Sequence, residues 1–385
     1  MENEKVYKVA ILQRVIPAYR KALFEEISKL PYVNLIILYG DDIPDSKVRS
    51  GLNKKNDLNI IKHRSTFLQI SKRIFVWHHG LFRSLKRFKP DLIISEGESN
   101  ILSYLQAFFY KKIFKNTKII HWSVGGLPAS KTKPLIIRFI KTLLLKIFDS
   151  YIVYSSYGKK ELINNFGVDS KKIFVAVNIS QVDKFLDLHL RFNSDKKVKN
   201  NDIRNFNHNK FTLVTCGSLV KEKNFQLILE AYENIDENNF NLILIGDGNY
   251  KNELKKIVYS KKLRNVFFVG HVNMSRMAKF FFLSDLFILP GRGGMVISES
   301  MACGLPVLLR AADGVEFDLV KENFTGFYYK NNNSHSLAKR ILEISSNQKL
   351  LKNVSKNSYL FIKENYSIKN YALSIGNAIK SSLKE

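Results

Sequence analysis

Apolar residues in this chain fall into short continuous runs, separated by stretches whose apolar positions recur every three or four residues. Runs of that kind fit strands covered on both faces, and the intervening periodicity fits the helices that cover them. Lys8 to Gln13, Val33 to Tyr39, a weaker Leu58 to Ile61, Asp91 to Ile94, Lys118 to Trp122, Tyr151 to Tyr154 and Ile173 to Val177 read as strands. Between them, helices are predicted after Arg20 (with Leu23, Phe24 and Ile27 on one face), over Phe75 to Phe88, from Ile101 to Tyr110 and over Pro134 to Phe148. A second series follows. Phe211 to Cys216, Phe240 to Ile245, Asn265 to Val269, Leu286 to Leu289 and an edge strand Phe327 to Tyr329 alternate with helices. Strands and helices alternating at these lengths predict an α/β protein with two doubly wound parallel sheets. The expected domains are 1–188, a polar linker or insertion over 189–209, a second α/β domain over 210–365, and a terminal helix over 366–385 able to cross back to the first domain. Two such halves should face a cleft, with ligands at the carboxyl ends of strands.

Ser284 to Leu309 is the most informative stretch. It reads as a strand, a turn opened by Pro290 with Gly291, Gly293 and Gly294, a helix from about Met295 to Ala302, a stop at Gly304 and another strand. Glycines let backbone approach a ligand, and the helix start offers N–H groups and a positive dipole end to an anion. Glu299 falls about one turn inside that helix, where a carboxylate can take sugar hydroxyls beside a phosphate. An ordinary strand-to-helix turn with a solvated glutamate fits the same residues.

Composition narrows the reading. The chain has 385 residues and 45% hydrophobic content, enough for two cores rather than a disordered chain. Two cysteines, Cys216 and Cys303, are too few for a disulfide framework or a metal cluster and fit buried thiols in a reducing compartment. Met1 to Tyr7 is too polar for a signal peptide, and the apolar Leu135 to Phe148 is interrupted by Arg138, Lys141 and Lys146, so a cytoplasmic protein is expected. The net charge of +27 points to a polyanionic partner surface, for which anionic lipid head groups and nucleic acid both qualify, and a general Lys- and Asn-rich bias accounts for part of it equally well. The segments Lys62 to Lys89 and Lys131 to Lys146 carry much of it. In the second, Arg138 and Lys141 share one face and Ile137, Ile140 and Leu144 another, which fits an interfacial helix or a helix packed on the sheet with solvated lysines. No recognition helix or base-stacking platform supports nucleic acid.

Several pieces in the second half together carry a resemblance. Cys216-Gly-Ser-Leu-Val-Lys-Glu-Lys-Asn224, Leu244-Ile-Gly-Asp-Gly248, Val266-Phe-Phe-Val-Gly270, Ser284-Asp-Leu-Phe-Ile-Leu-Pro290 and Glu299-Ser-Met-Ala-Cys-Gly-Leu-Pro-Val307 follow one another in this order. In order and spacing they resemble the retaining GT-B glycosyltransferases of the family-4 type (glycosyl transferases group 1). The first half resembles the subgroup that opens with a Pro-x-Tyr-Arg turn, here Pro17 to Arg20. The resemblance implies a GT-B fold and transfer of a sugar, with retention, from a UDP- or GDP-linked donor to a glycan or lipid-linked acceptor. Capsule, O-antigen or lipopolysaccharide synthesis at the inner face of the membrane is the implied setting. Neither metal nor cofactor is implied. By the same resemblance Lys223 holds the donor diphosphate, Glu299 takes the ribose hydroxyls, and Gly293, Gly294 and Met295 with their helix cradle the phosphates.

The sequence departs from that pattern at named positions. The first acid of the Glu-x7-Glu pair falls at Gly291, and the usual arginine five residues before the lysine falls at Ser218, leaving Arg292 as a replacement phosphate clamp. The histidine expected after the strand ending at Trp122 is Val124. His121 is a nearby candidate, although strand alternation points it away from the face of Trp122. Gly125 and Gly126 would let backbone approach the donor, His271 lies where a base contact is expected, and Glu96 and Glu98 follow a strand end. Arg20 either faces the cleft, for acceptor or phosphate, or pairs with a carboxylate such as Glu25. The departures leave a second reading open, a catalytically weakened GT-B subunit that binds a partner or a glycan.

Overall fold

The computed structural model describes residues 5–44, 49–51, 58–70, 73–96, 101–126, 135–194, 203, 206–312 and 314–384. The chain divides into two units, Met1–Val177 with Ile368–Glu385, and Asn178–Ser367. The division falls after Val177, not at 188.

In the first unit β1 (Tyr7–Gln13), α1 (Lys21–Ser28), β2 (Val33–Tyr39), β3 (Ile60–Lys62), a hairpin of β4 (Ser65–Ile70) and β5 (Arg73–His78), α2 (Leu81–Phe88), β6 (Leu92–Glu96) and α3 (Ile101–Ile113) come first. Then follow β7 (Lys118–Ser123), α4 (Leu135–Leu145), β8 (Ser150–Val153), α5 (Ser156–Phe166) and β9 (Ile173–Val175). The parallel sheet has the order β3-β2-β1-β6-β7-β8-β9. Its strands are almost wholly apolar because both faces are covered. Leu81, Leu85, Ala107, Tyr110, Leu145 and Leu162 from α2 to α5 form one core with Leu12, Ile93 and Ile119 of the sheet.

The helix predicted over Phe75 to Phe88 is instead a strand followed by a helix. Phe75 and Trp77 alternate with the buried Val76 and His78, and β5 pairs antiparallel with β4, Phe67 opposite Val76. Gly80, at φ +76, starts α2.

In the second unit α6 (Val182–Ser194) leads into β10 (Phe211–Cys216), α7 (Phe225–Tyr232), β11 (Phe240–Ile245), α8 (Lys251–Ser260), β12 (Val266–Gly270), α9 (Met274–Phe282), β13 (Leu286–Leu289) and α10 (Gly294–Ala302). It ends with β14 (Val307–Leu309), α11 (Glu316–Leu319), β15 (Phe327–Tyr328), α12 (Ser334–Ser346) and α13 (Gln348–Asn365). The sheet order is β12-β11-β10-β13-β14-β15. The start of the expected linker, residues 189–194, is therefore the end of α6. Its polar composition hid an apolar stripe: Val182 and Phe185 are buried, Phe185 lies 6.5 Å from Phe281 and Phe192 5.6 Å from Phe282. Of the rest, 195–202 with 204 and 205 lie outside the described residues.

The last helix, α14 (Ile368–Lys384), belongs to the first unit, where it packs on α1 and β8. Gly376 admits Tyr32, whose hydroxyl would lie 2.4 Å from a Cβ there.

Candidate active site

In an open parallel sheet the two central strands whose connections leave in opposite directions splay their following loops apart, and ligands sit between those loops. In the second unit these strands are β10 and β13. The β10 loop carries Gly217 and a single turn of 3-10 helix, Lys221–Lys223, and the β13 loop carries Pro290 to Gly293 and leads into α10.

Lys223 closes the gap between them. A Cβ placed on Gly293 would lie 2.9 Å from Lys223 Nζ, and one on Gly217 would lie 3.7 Å from the same atom. The ammonium thus rests against the start of α10, whose N-cap is Gly293 and has no side chain to cap it. A lysine charge and a helix N-terminus meet at one point, a combination suited to a phosphate dianion.

Gly291 has a different role. A Cβ there would meet the carbonyl oxygen of Lys223 at 2.7 Å and that of Glu222 at 3.2 Å. The turn bearing Lys223 packs against this position, so an acidic side chain has no room unless the turn moves. The missing acid and the placement of the lysine are one structural fact.

Glu299 lies on α10 and is partly buried. Burial pushes its pKa up to about 7, with a neighbouring Ser180 lowering it in part. The Ser180 hydroxyl is itself buried and lacks a hydrogen-bond partner among the described residues. Cys216, at the end of β10, reports that the two charged groups converge: burial and then Glu299 raise the pKa of its thiol, and Lys223 lowers it. Its Sγ contacts Met277 Sδ at 3.3 Å.

The other donor candidates surround this point unevenly. Ser218 and Arg292 are exposed on the two facing loops, and Gly294 and Met295 form the first turn of α10. His271 is exposed beyond β12 at the edge of the sheet, away from the central pair of strands.

Residues 196–361 match the family model described as glycosyl transferases group 1. Over this segment the chain is similar to group 1 glycosyltransferases. The group 1 match covers β10 to β15 and so includes Lys223, Gly291, Gly293 and Glu299. An uncharacterized glycosyltransferase of Methanocaldococcus jannaschii is 25% identical over 303 residues, 75% of this chain and 74% of the relative. The alpha-monoglucosyldiacylglycerol synthase of Streptococcus pneumoniae is 23% identical over 311 residues, 76% of this chain and 68% of its own. Among solved structures, Anabaena HepE in complex with UDP superposes with a TM-score of 0.73 at 16% identity, over 98% of this chain and 100% of that one. The fold around the matched segment is accordingly GT-B, with two Rossmann-like domains.

The first-unit candidates are placed differently from the sequence expectation. Arg20 does not face solvent: it is 3% exposed, donates to Tyr154 Oη at 2.8 Å and to Tyr371 Oη at 3.0 Å, and its guanidinium lies 4.3 Å from the Trp122 ring. Glu25 pairs with Lys21 instead. His121 is buried with its ring 4.6 Å from Phe148, on the face opposite Trp122, and belongs to the core. Gly125 and Gly126 admit α5. A Cβ on Gly125 would meet the Gly158 carbonyl oxygen at 2.7 Å, and one on Gly126 the Glu161 side chain at 2.6 Å. Glu98 lies outside the described residues. Glu96 ends β6 beside Arg20; burial raises its pKa, and Arg20 and then Arg14 hold it down in part.

Sequence reading passed over Gln13 and Ser95. Gln13 ends β1 and Ser95 is the last residue but one of β6, the pair of strands at which the first sheet reverses its winding, and both are fully buried with side-chain atoms that lack hydrogen-bond partners among the described residues. The available signal was a polar residue terminating an otherwise apolar strand at the switch point.

Proposed function

We propose that this protein is a retaining, metal-independent glycosyltransferase that moves a sugar from a nucleotide diphosphate donor to a hydroxyl of a glycan or lipid-linked acceptor. Synthesis of cell-surface polysaccharide or glycolipid at the inner face of the membrane is the setting we favour. The observation that carries the reading is the Lys223 ammonium set against the Gly293 N-cap of α10, with Glu299 further along that helix.

Breaking the bond from the sugar's anomeric carbon to the phosphate oxygen leaves negative charge on the diphosphate. Lys223 and the first turn of α10 meet that charge without reorganising, which stabilises the transition state more than the ground state. As the acceptor oxygen bonds to the anomeric carbon on the face the diphosphate leaves, its proton passes to a departing phosphate oxygen. No separate base is required. Glu299 receives the ribose hydroxyls, and those donors favour its ionised form. Arg292 supplies a second cation from the β13 loop. A UDP complex of HepE and the name of the pneumococcal glycolipid synthase support a nucleotide-linked donor and a lipid-linked acceptor by analogy.

A panel of UDP- and GDP-sugars, scored first by thermal stabilisation and then by transfer, tests the reading, because a ligand specific for the folded state raises the melting temperature. The proposal requires a stabilising donor whose effect and turnover disappear in Lys223→Ala. A weakened, non-catalytic binding subunit is the second reading, favoured by the closed position at Gly291. Nucleotide stabilisation without transfer or donor hydrolysis would select it.

A further inference from the structure

The helices on one side of the first sheet have outer surfaces that the transfer chemistry does not use. α2, α3 and α4 share a core with the sheet through Leu81, Leu85, Tyr110 and Leu145, and Phe82 meets Tyr110 edge-on at 5.7 Å. The opposite faces of α3 and α4 hold large apolar side chains in solvent. On α3, Phe109 and Ile113 are 58% and 65% exposed, one turn apart; on α4, Phe139 and Leu143 are 64% and 48% exposed, again one turn apart. β5 packs on α3, and Gln106 donates to the His78 carbonyl at 3.1 Å. The outward face of that hairpin adds Trp77 and Leu68.

Charge surrounds this apolar set. The sequence has eight basic and no acidic residues from Lys62 to Pro90, and nine basic and no acidic residues from Ser99 to Phe148. Arg83, Lys86, Arg87 and Lys89 are exposed at α2, Lys112 and Lys115 at the end of α3, and Lys146 after α4. A second copy of the chain would bring like charges together, and a phosphate backbone alone would leave the phenylalanine, isoleucine and leucine side chains in water. A leaflet of anionic phospholipid meets both requirements, with head groups for the cations and an acyl boundary for the apolar residues.

We propose that the outer face of α2, α3 and α4 is a docking surface for an anionic lipid bilayer. It deepens, and rests on, the lipid-linked reading of the acceptor, because a bilayer-bound acceptor requires the enzyme at the bilayer. Each cation near such a leaflet contributes roughly a fivefold factor to partitioning, screened by salt. Among the described residues no helix is long and apolar enough to cross a membrane, so this attachment is a surface contact.

Sedimentation of the full chain with phosphatidylcholine vesicles, with and without phosphatidylglycerol, tests it. The expected result is binding that requires phosphatidylglycerol and weakens as salt rises. Phe109→Ser with Ile113→Ser should lower that partitioning at least about tenfold, and Lys86→Glu with Arg87→Glu about 25-fold or more. All four side chains are at the surface, so the melting temperature and nucleotide stabilisation should be retained in both variants. Equal binding to neutral vesicles, wild-type binding by both variants, or capture by nucleic acid in place of vesicles would overturn the proposal. Vesicle binding needs no donor, and transfer to a soluble acceptor needs no vesicle, so failure of either reading is seen apart from the other.

Discussion

Glu299 gives the candidate site a measurable pH signature. Its carboxyl, raised by burial from an ordinary value of 4.5 to about 7, binds its proton more tightly in the folded than in the unfolded chain. Stability from this group is therefore fully present below 4.5 and is lost as the pH rises through about 7. At about 1.4 kcal/mol per pKa unit the full penalty is about 3 kcal/mol, of which about 2.5 develops between pH 5 and pH 8. Glu299→Gln keeps the shape and removes the titration. Urea denaturation of both proteins at pH 5 and pH 8 isolates the effect as a difference of differences. His189 in the same unit, whose pKa burial lowers, changes with pH in the opposite direction but equally in both proteins and cancels. Trp77 and Trp122 both belong to the first unit, so the second unit is followed by circular dichroism rather than by tryptophan fluorescence. The variant should gain about 2.5 kcal/mol on the wild type between the two conditions. An identical pH slope in the two proteins would show that the carboxyl ionises freely and would remove the argument for a desolvated ribose-binding acid.

Lys223→Ala removes one preorganised cation from the developing diphosphate and should lower kcat about 10²–10³-fold in steady-state transfer assays. Gly291→Glu should abolish nucleotide stabilisation in a thermal-shift assay instead of restoring a lost sugar contact, because its Cβ starts 2.7 Å from the Lys223 carbonyl oxygen. Gly291→Ala should cost about 1–3 kcal/mol through the same crowding, read by urea denaturation. Arg20→Ala leaves the Tyr154 and Tyr371 hydroxyls without their donor and should destabilise the first unit by about 3 kcal/mol, followed by fluorescence of the Trp122 ring it covers. Arg20→Lys should recover only part of that loss, since an ammonium lacks the planar fork that reaches both tyrosines.

How far these features were legible depends on whether the physics is local. Continuous apolar runs marked the parallel strands of both sheets, because a strand covered on two faces must be apolar throughout. The order of glycines, lysine and glutamate in the second half marked the loops at its switch point for a similar reason, since each sits next to a strand end in the sequence itself. The hairpin from Ser65 to His78 was not legible from Phe75 onward: its alternation has meaning only beside a partner strand, and read alone it merges with the helical spacing of α2. Arg20 shows the same limit. Its local setting, a strand-to-helix turn, suggested a ligand contact, whereas Tyr154 and Tyr371, which bury it, lie 134 and 351 residues away along the chain.

The glycines carry this argument furthest. Gly125, Gly126, Gly291 and Gly293 all stand in loops after strands, where a missing side chain suggests room for a ligand, yet each lacks a Cβ to admit a different neighbour. Gly125 and Gly126 receive α5, Gly291 receives the backbone of the Lys223 turn, and only Gly293 receives the ammonium that we assign to the diphosphate. Composition shows that something comes close at such a position, and coordinates show what. At Gly291 the difference changes the inference from sequence: the position of the missing acid is the space that the backbone of the Lys223 turn occupies. The substitution pair follows from it, because an acid at 291 should weaken phosphate binding by displacing Lys223, and a second Lys223→Ala change in that background should then cost little more.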